Sequence, residues 1–289
     1  MGFFNEKLLH LLALQLVSGA PANGAGSLST LHSFYASIQA ALFINMAIRS
    51  IETAPLGYAR LGGALYLVII LFGAFAEGFI SSKLIVGGNA AATAHHILGS
   101  PMLWQIGVVG NVLVVLCAVP LMWIEYLLLR PVSKSLVLLA LFLNLVSLAV
   151  EAVSKVFLLL VLPMLESAQY QQAFGPRQVP ILANLALKAH DISFNIALLF
   201  FGFTCLVNGY LIFKSGYFPK VLGILMQVAG VCYLVACWAA LFAPVLAGKI
   251  LPAALLPCLV GELSLCLWLL VKGVDRVQWQ ARMSLSAEH

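Results

Sequence analysis

The sequence predicts an all-α fold, a polytopic transmembrane helical bundle with six core spans. The first observation is composition: the 289-residue chain is 63% hydrophobic and 9% charged, whereas a soluble domain carries about 25% charged residues. The second is the arrangement of the apolar residues in six long continuous runs, each long enough to cross a bilayer. A β-barrel would instead show short segments of alternating hydrophobicity, so that class is excluded.

The predicted spans are bounded by residues that start or stop helices. Ser100 is a predicted N-cap before Pro101, and Ser215-Gly216 ends the fourth span before Pro219 opens the fifth. The spans are Leu61–Ser82, Met102–Leu129, Ser135–Leu165, Leu187–Phe213, Val221–Ala247 and Ile250–Val271.

Two shorter features lie outside the predicted spans. Asn89 is positioned to cap a short surface helix, Ala90–Leu98, that carries His95 and His96. The segment Glu166–Pro180 is polar and reads as a loop with a turn at Gly175-Pro176.

The basic residues predict the orientation. One side of the membrane receives Lys7, Arg49, Arg60, Arg130, Lys134, Lys214, Lys220, Lys272, Arg276 and Arg282, and the other only Lys83, Arg177, Lys188 and Lys249. The positive-inside rule then places both ends of the core, including the C-terminus, in the cytoplasm. The formal charge of +5 is thus assigned to topology, and we expect no nucleic-acid partner.

The chain divides into an N-terminal segment (1–57), a six-span membrane domain (58–274) and a cytoplasmic tail (275–289). Within the first segment, Leu31–Ile48 is uncharged but interrupted by polar residues, so it is either an interfacial amphipathic helix or a seventh span. Leu8–Val17, followed by Ala20-Pro21-Ala22, also resembles a cleaved signal peptide.

Several strings together resemble a known family. They are Ala59-Arg60-Leu-Gly-Gly-Ala-Leu-Tyr66, Ala76-Glu77, Gly88-Asn89-Ala-Ala-Ala-Thr-Ala94, Phe194-Asn195 through Gly202, Gly209-Tyr210 through Pro219, and Gly261-Glu262 through Val274. The set resembles the bacterial membrane family called domain-of-unknown-function 4386, from about Tyr58 to Val274. The resemblance implies a multi-pass protein of the bacterial inner membrane and brings no activity with it.

Ionisable and amide side chains inside the spans are the candidate site. A charge near the bilayer centre costs on the order of 3 kcal/mol, so these residues are expected to converge on a shared, hydrated cavity. The predicted orientation puts nearly all of them in the outer half, and Glu262 near the middle of its span. The candidates are Glu77, Asn111, Glu151, Lys155, His190, Asp191, Asn195 and Glu262.

Structural roles compete with a functional role for most of these residues. Glu151 and Lys155 are spaced for a helical ion pair, and Glu77 suits the headgroup region. His190 and Asp191 suit an ordinary span start, and Asn195 suits a hydrogen bond to a neighbouring helix. Glu262 has no opposite charge within one turn, so it is either protonated or paired with another helix, for example through Lys155. Glu125 is expected at the cytoplasmic interface, near Arg130.

The sequence lacks several signatures of catalysis and of metal binding. It has no H-x-x-x-H or H-E-x-x-H pair, no G-x-S-x-G elbow and no Walker motif. The six cysteines form no C-x-x-C motif and are expected to be free. We therefore expect no metal and no cofactor.

Three functions remain open from the sequence. The favoured one is binding or transport of a small solute or ion through an outward-opening polar cavity. The second is a membrane-embedded enzyme that uses Glu262, His190 and Asp191 as acid and base on a lipid-like substrate. The third is a structural or regulatory membrane partner without a ligand, whose polar groups would be fully paired. The lipid bilayer is the expected environment in each case, and the sequence fixes no oligomeric state.

Overall fold

The structure is a computed structural model that describes residues 54–287. Every regular element in this range is helical. The elements are α1 (Pro55–Gly73), which continues through a π-helical segment (Ala74–Ser81) and a last helical turn (Ser82–Leu84), α2 (Ala90–Gly99), α3 (Pro101–Leu129), α4 (Lys134–Glu166), α5 (Ala168–Phe174), α6 (Val179–Ser215), α7 (Lys220–Phe242), α8 (Pro244–Val271) and α9 (Arg276–Ala287). The predicted interfacial helix or seventh span at Leu31–Ile48 lies outside the described residues.

Six helices are long and apolar enough to cross a membrane, which confirms the predicted bundle. They are Pro55–Leu84, Pro101–Leu129, Lys134–Glu166, Val179–Ser215, Lys220–Phe242 and Ala253–Val271. The fifth ends at Phe242 rather than at the predicted Ala247. Ala243 leaves the helical region (φ −140°, ψ 63°), and Pro244 then begins α8 at the position where a missing N–H costs nothing.

The helix ends follow the predicted boundaries in part. The Asn89 side chain accepts a hydrogen bond from the Ala92 N–H (3.0 Å), which confirms it as the N-cap of α2. Ser100 precedes Pro101 at the start of α3, but its side chain makes no capping bond. The loop predicted at Glu166–Pro180 contains a short helix, α5, which ends at Gly175 with φ +77°.

The six spans form a closed ring in chain order. Each span packs mainly against the next one, and α8 closes the ring by packing on α1. The helix α2 packs across α6, α4 and α3 at one end of the ring, which we call the α2 side. The opposite end, which we call the α9 side, holds the short connection between α3 and α4. The ring therefore has an interior that all six spans can reach.

Glycines allow α6 and α7 to approach very closely. A Cβ built on Gly223 would lie 2.6 Å from the carbonyl oxygen of Gly209, and one built on Gly209 would lie 2.8 Å from that of Gly223. About two helical turns away, Gly230 of α7 and Gly202 of α6 face each other in the same way. Helices in lipid have no hydrophobic driving force for association. Small residues at such crossings instead allow the close van der Waals packing that holds the helices together.

The terminal helix α9 packs against the bundle. The Trp279 side chain is buried, and its indole N–H donates to the carbonyl oxygen of Leu128 (3.2 Å). The Tyr217 hydroxyl donates to the same oxygen (2.7 Å). The end of α3 thus accepts hydrogen bonds that the helix itself leaves unmade.

Candidate functional site

The π-helical segment places Glu77 toward the ring interior. Its neighbours Phe75 and Phe79 are exposed and stack on each other (5.6 Å between ring centroids), whereas Ala76 and Ile80 are buried. Segments of π-helix are rare, and when they occur they often mark functional sites. Here the wider turn gives the same short stretch a lipid-facing aromatic pair and an inward-facing carboxylate.

Glu77 lies beside His190 of α6. The distance from Glu77 Oε1 to His190 Nε2 is 3.8 Å, which is an ion-pair separation rather than a hydrogen bond. The Glu77 side chain is 39% exposed and that of His190 only 4%. Within the described residues, Glu77 Oε1 is buried without a hydrogen-bond partner.

The second ring nitrogen fixes where the His190 proton must be. His190 Nδ1 lies 3.2 Å from the carbonyl oxygen of Ser154, and a carbonyl only accepts, so Nδ1 carries a hydrogen. In the neutral imidazole, Nε2 therefore presents its lone pair to Glu77. The two groups attract each other only when one further proton sits on His190 or on the Glu77 carboxyl.

The predicted pair Glu151–Lys155 is confirmed. Lys155 Nζ lies 3.5 Å from Glu151 Oε1, and the lysine is only 3% exposed. The ammonium also lies 4.3 Å from the centroid of the Phe194 ring, on which His190 stacks. Lys155 is close enough to Glu77 for their charges to interact. The ion pair and the Glu77–His190 pair are thus one connected group.

Asn111, Asp191 and Asn195 complete the surroundings of this group. Asn111 is buried near Glu77, and its amide donates to the carbonyl oxygen of Gly107 in its own helix (3.3 Å). Asp191 is exposed and within electrostatic range of Glu77 and His190. Asn195 donates to the carbonyl oxygen of Asp191 one turn earlier (2.8 Å), so the expected bond to a neighbouring helix is wrong. We call Glu77, Glu151, Lys155 and His190 the α2-side cluster.

Glu262 belongs to a second polar group. It accepts a hydrogen bond from the Tyr233 hydroxyl of α7 (2.5 Å), while Lys155 is bound to Glu151. The interpretation that Glu262 pairs through Lys155 is therefore wrong. The Glu262 carboxyl is also within electrostatic range of Tyr66 and of Glu125.

Glu125 lies inside the bundle and not at the interface that the sequence suggested. Its Oε2 accepts a hydrogen bond from the Asn208 amide of α6 (3.1 Å). The reason is helical phase: Leu121 and Leu128, one turn before and after Glu125, are both buried. The sequence shows how far Glu125 is from the end of α3. It does not show whether the side of the helix that carries Glu125 faces the bundle interior or the lipid.

The two groups lie at different depths. Tyr66, which is near Glu262, precedes Glu77 by eleven residues on the same span, a rise of about 16 Å at 1.5 Å per residue. The structure thus brings Glu77, Asn111, Glu151, Lys155, His190 and Asp191 together, with Asn195 at their edge, and places Glu262 with Glu125, Tyr66, Tyr233 and Asn208 nearer the α9 side.

The side chains of both groups, carboxylates with an imidazole, amides or tyrosine hydroxyls, are of the kinds that can accept protons or bind cations. Within residues 54–287, no group of three or more histidine, cysteine, aspartate or glutamate side chains is arranged to hold a metal ion. All six cysteines are free. Sequence reasoning missed Glu125, Tyr233 and Asn208, and the one available signal was that polar side chains recur within otherwise apolar runs.

Comparison with known proteins identifies a family for this chain. No match was found among curated proteins or among solved structures. The family model described as Domain of unknown function (DUF4386) matches residues 61–273. Since this range covers the six spans and most of the chain, the protein belongs to the DUF4386 family.

Proposed function

We propose that this protein, in the bacterial inner membrane, binds and moves a small ion or solute together with a proton through the α2-side cluster. The proposal rests mainly on Glu77. Its side chain is partly exposed, its Oε1 atom is buried without a hydrogen-bond partner, and the buried His190 ring lies 3.8 Å away. A carboxylate in this setting is an entry point for a proton or another cation.

The charges of the cluster support uptake of one positive charge. With Glu77 and Glu151 ionised and Lys155 protonated, the cluster carries one net negative charge while His190 is neutral. One proton on His190, or a monovalent cation beside Glu77, brings the net charge to zero. Because a net charge in a low-dielectric interior is costly, such a cluster favours the occupied state.

The proposed direction of entry is from outside the cell. The basic residues favour a cytoplasmic α9 side, which makes the α2 side external and the C-terminus cytoplasmic. Glu77 lies seven residues before the end of its span at Leu84, or about 10 Å of helix rise. The exposed Asp191 adds a negative charge on the same side.

The geometry gives less support to the two alternatives. The enzyme reading needs Glu262 within hydrogen-bond reach of His190 and Asp191, whereas Glu262 lies with Tyr233 in the other polar group. The structural-partner hypothesis needs every polar group to be paired, whereas Glu77 Oε1 has no hydrogen-bond partner among the described residues.

Proton uptake into liposomes tests the proposal. Purified protein is reconstituted into K⁺-loaded liposomes with a trapped pH-sensitive dye. Valinomycin then sets a negative-inside potential, with Na⁺ or choline salts outside. We expect faster acidification than in protein-free liposomes, and loss of this excess in Glu77→Gln. The matched control is Glu166→Gln, which makes the same change at an exposed position on the same side and should retain the uptake.

Either of two outcomes overturns the proposal. One is wild-type uptake no faster than in protein-free liposomes under every salt tested. The other is uptake that Glu77→Gln leaves intact, because the path would then not involve the α2-side cluster.

A further inference from the structure

A small cavity lies among α3, α4 and α6, away from the α2-side cluster. Its volume is about 10 Å³, which suits a single water-sized particle. Five of its lining side chains carry oxygen: Glu125, Tyr126, Asn144, Thr204 and Asn208. The rest of the lining is apolar: Met122, Val137, Ala140 and Leu141.

Two of these oxygens are buried without a partner. Asn144 and Asn208 are each only 7% exposed, and among the described residues neither Oδ1 atom has a hydrogen-bond partner. The amide of Asn208 donates to Glu125, and this bond determines which end of the side chain is the oxygen. Buried polar atoms in folded proteins are nearly always satisfied, so two unsatisfied oxygens at one cavity indicate that a water molecule or an ion occupies it.

The cavity offers mainly acceptors. The Thr204 hydroxyl already donates to the carbonyl oxygen of Phe200 (3.1 Å), so its remaining lone pairs are what it can present. Glu125, Asn144 and Asn208 contribute a carboxylate and two amide oxygens. One water molecule could donate to both unsatisfied amide oxygens, but it would leave the charge of the Glu125 carboxylate unbalanced, whereas a monovalent cation interacts with all three groups and balances that charge.

We propose that this cavity is a Na⁺ site whose ligands are Glu125, Asn144, Thr204 and Asn208. Oxygen-only ligands select hard cations. One carboxylate with three neutral oxygens balances a single positive charge, and Glu125 makes no ion pair with any residue in 54–287. The small volume excludes the additional water ligands that Mg²⁺ usually keeps.

A neighbouring contact holds α4 and α6 together beside the cavity. Ser147, one turn after Asn144 on α4, donates to the carbonyl oxygen of Ala197 on α6 (2.7 Å). A second cavity of about 20 Å³ lies on the other side of Glu125 and Asn208, but its remaining lining is entirely apolar. The ion therefore belongs in the first cavity.

The test measures binding of radiolabelled Na⁺ to the purified wild-type protein, with excess unlabelled Na⁺, K⁺ or choline as competitor. We expect one ion per chain, displaced by Na⁺ more effectively than by K⁺, and a thermal midpoint that rises with NaCl concentration at constant ionic strength. Glu125→Gln should weaken binding by roughly tenfold or more, since it removes the one charged ligand. Asn144→Leu should weaken binding without loss of stability, because it removes an oxygen that has no partner.

The control is Glu166→Gln, which makes the same change at an exposed position away from the cavity and should bind Na⁺ as the wild type does. This site does not rest on the proposed function of the α2-side cluster, and the two can fail separately. Wild-type protein that binds no Na⁺ would show that the cavity holds water or a proton on Glu125, and would overturn the proposal. Binding that survives both Glu125→Gln and Asn144→Leu would place the ion elsewhere and overturn it equally.

Discussion

Replacing Gly223 by Ala should destabilise the protein by forcing α6 and α7 apart. The new Cβ would lie 2.6 Å from both the Gly209 carbonyl oxygen and the Phe213 backbone nitrogen. Ordinary contact begins at 3.4 Å, so the helices must separate by about 0.8 Å, and neither obstacle is a side chain that can rotate away. Overpacking of this kind costs about 1–3 kcal/mol. The better helix propensity of alanine offsets up to about 1 kcal/mol.

Gly248 of α8 provides the matched control. A Cβ at that position would have no atom within 4 Å, so Gly248→Ala should be neutral or slightly stabilising. Unfolding in mixed micelles with increasing denaturing detergent compares the two variants with the wild type. The expected gap between them is about 1–3 kcal/mol. Equal stability of the two variants would refute the close glycine crossing.

Two further predictions concern the ion pair and the topology. Lys155→Ala should lower the thermal midpoint more than the double change with Glu151→Gln does, because the single change leaves a buried carboxylate uncompensated; a double variant no more stable than the single one would contradict the pairing. In a cysteine-free background, a membrane-impermeant thiol reagent added from outside should label Ser167→Cys and not Ser133→Cys; the reverse pattern would invert the orientation.

Hydropathy and helix punctuation were sufficient to predict the six spans. A transmembrane span is a long run of apolar residues, so composition and length are enough to predict it. The Asn89 cap and the Glu151–Lys155 pair were also predictable, because both depend on spacing within a single helix. The end of the fifth span was misplaced because the short break at Ala243 and Pro244 leaves the apolar run uninterrupted.

The contacts between helices could not be predicted in the same way. Spacing gives the depth of a residue, but not the rotation of its helix or the identity of the facing helix. Glu125 was therefore assigned to the interface although it binds Asn208 of α6. Glu262 had no visible partner because tyrosine counts as an apolar aromatic in such a run, whereas the Tyr233 hydroxyl is its donor. The π-helical turn around Glu77 has no sequence signature at all.

The distribution of unsatisfied oxygens separates functional polarity from structural polarity in this bundle. Each carboxylate inside the bundle has a nearby partner that lowers the cost of placing it in the membrane: His190 for Glu77, Lys155 for Glu151, Asn208 for Glu125 and Tyr233 for Glu262. Buried serine and threonine side chains such as Ser147 and Thr204 are satisfied by carbonyl oxygens. Glu77 Oε1, Asn144 Oδ1 and Asn208 Oδ1 are not satisfied within the described residues, and they occur at two sites only. A bundle selected for packing alone gains nothing from these atoms, because apolar side chains of similar size would fill the same space at lower cost. Retaining acceptors at both depths is consistent with two sites for positive charge, one partly exposed on the α2 side and one in the small cavity among α3, α4 and α6.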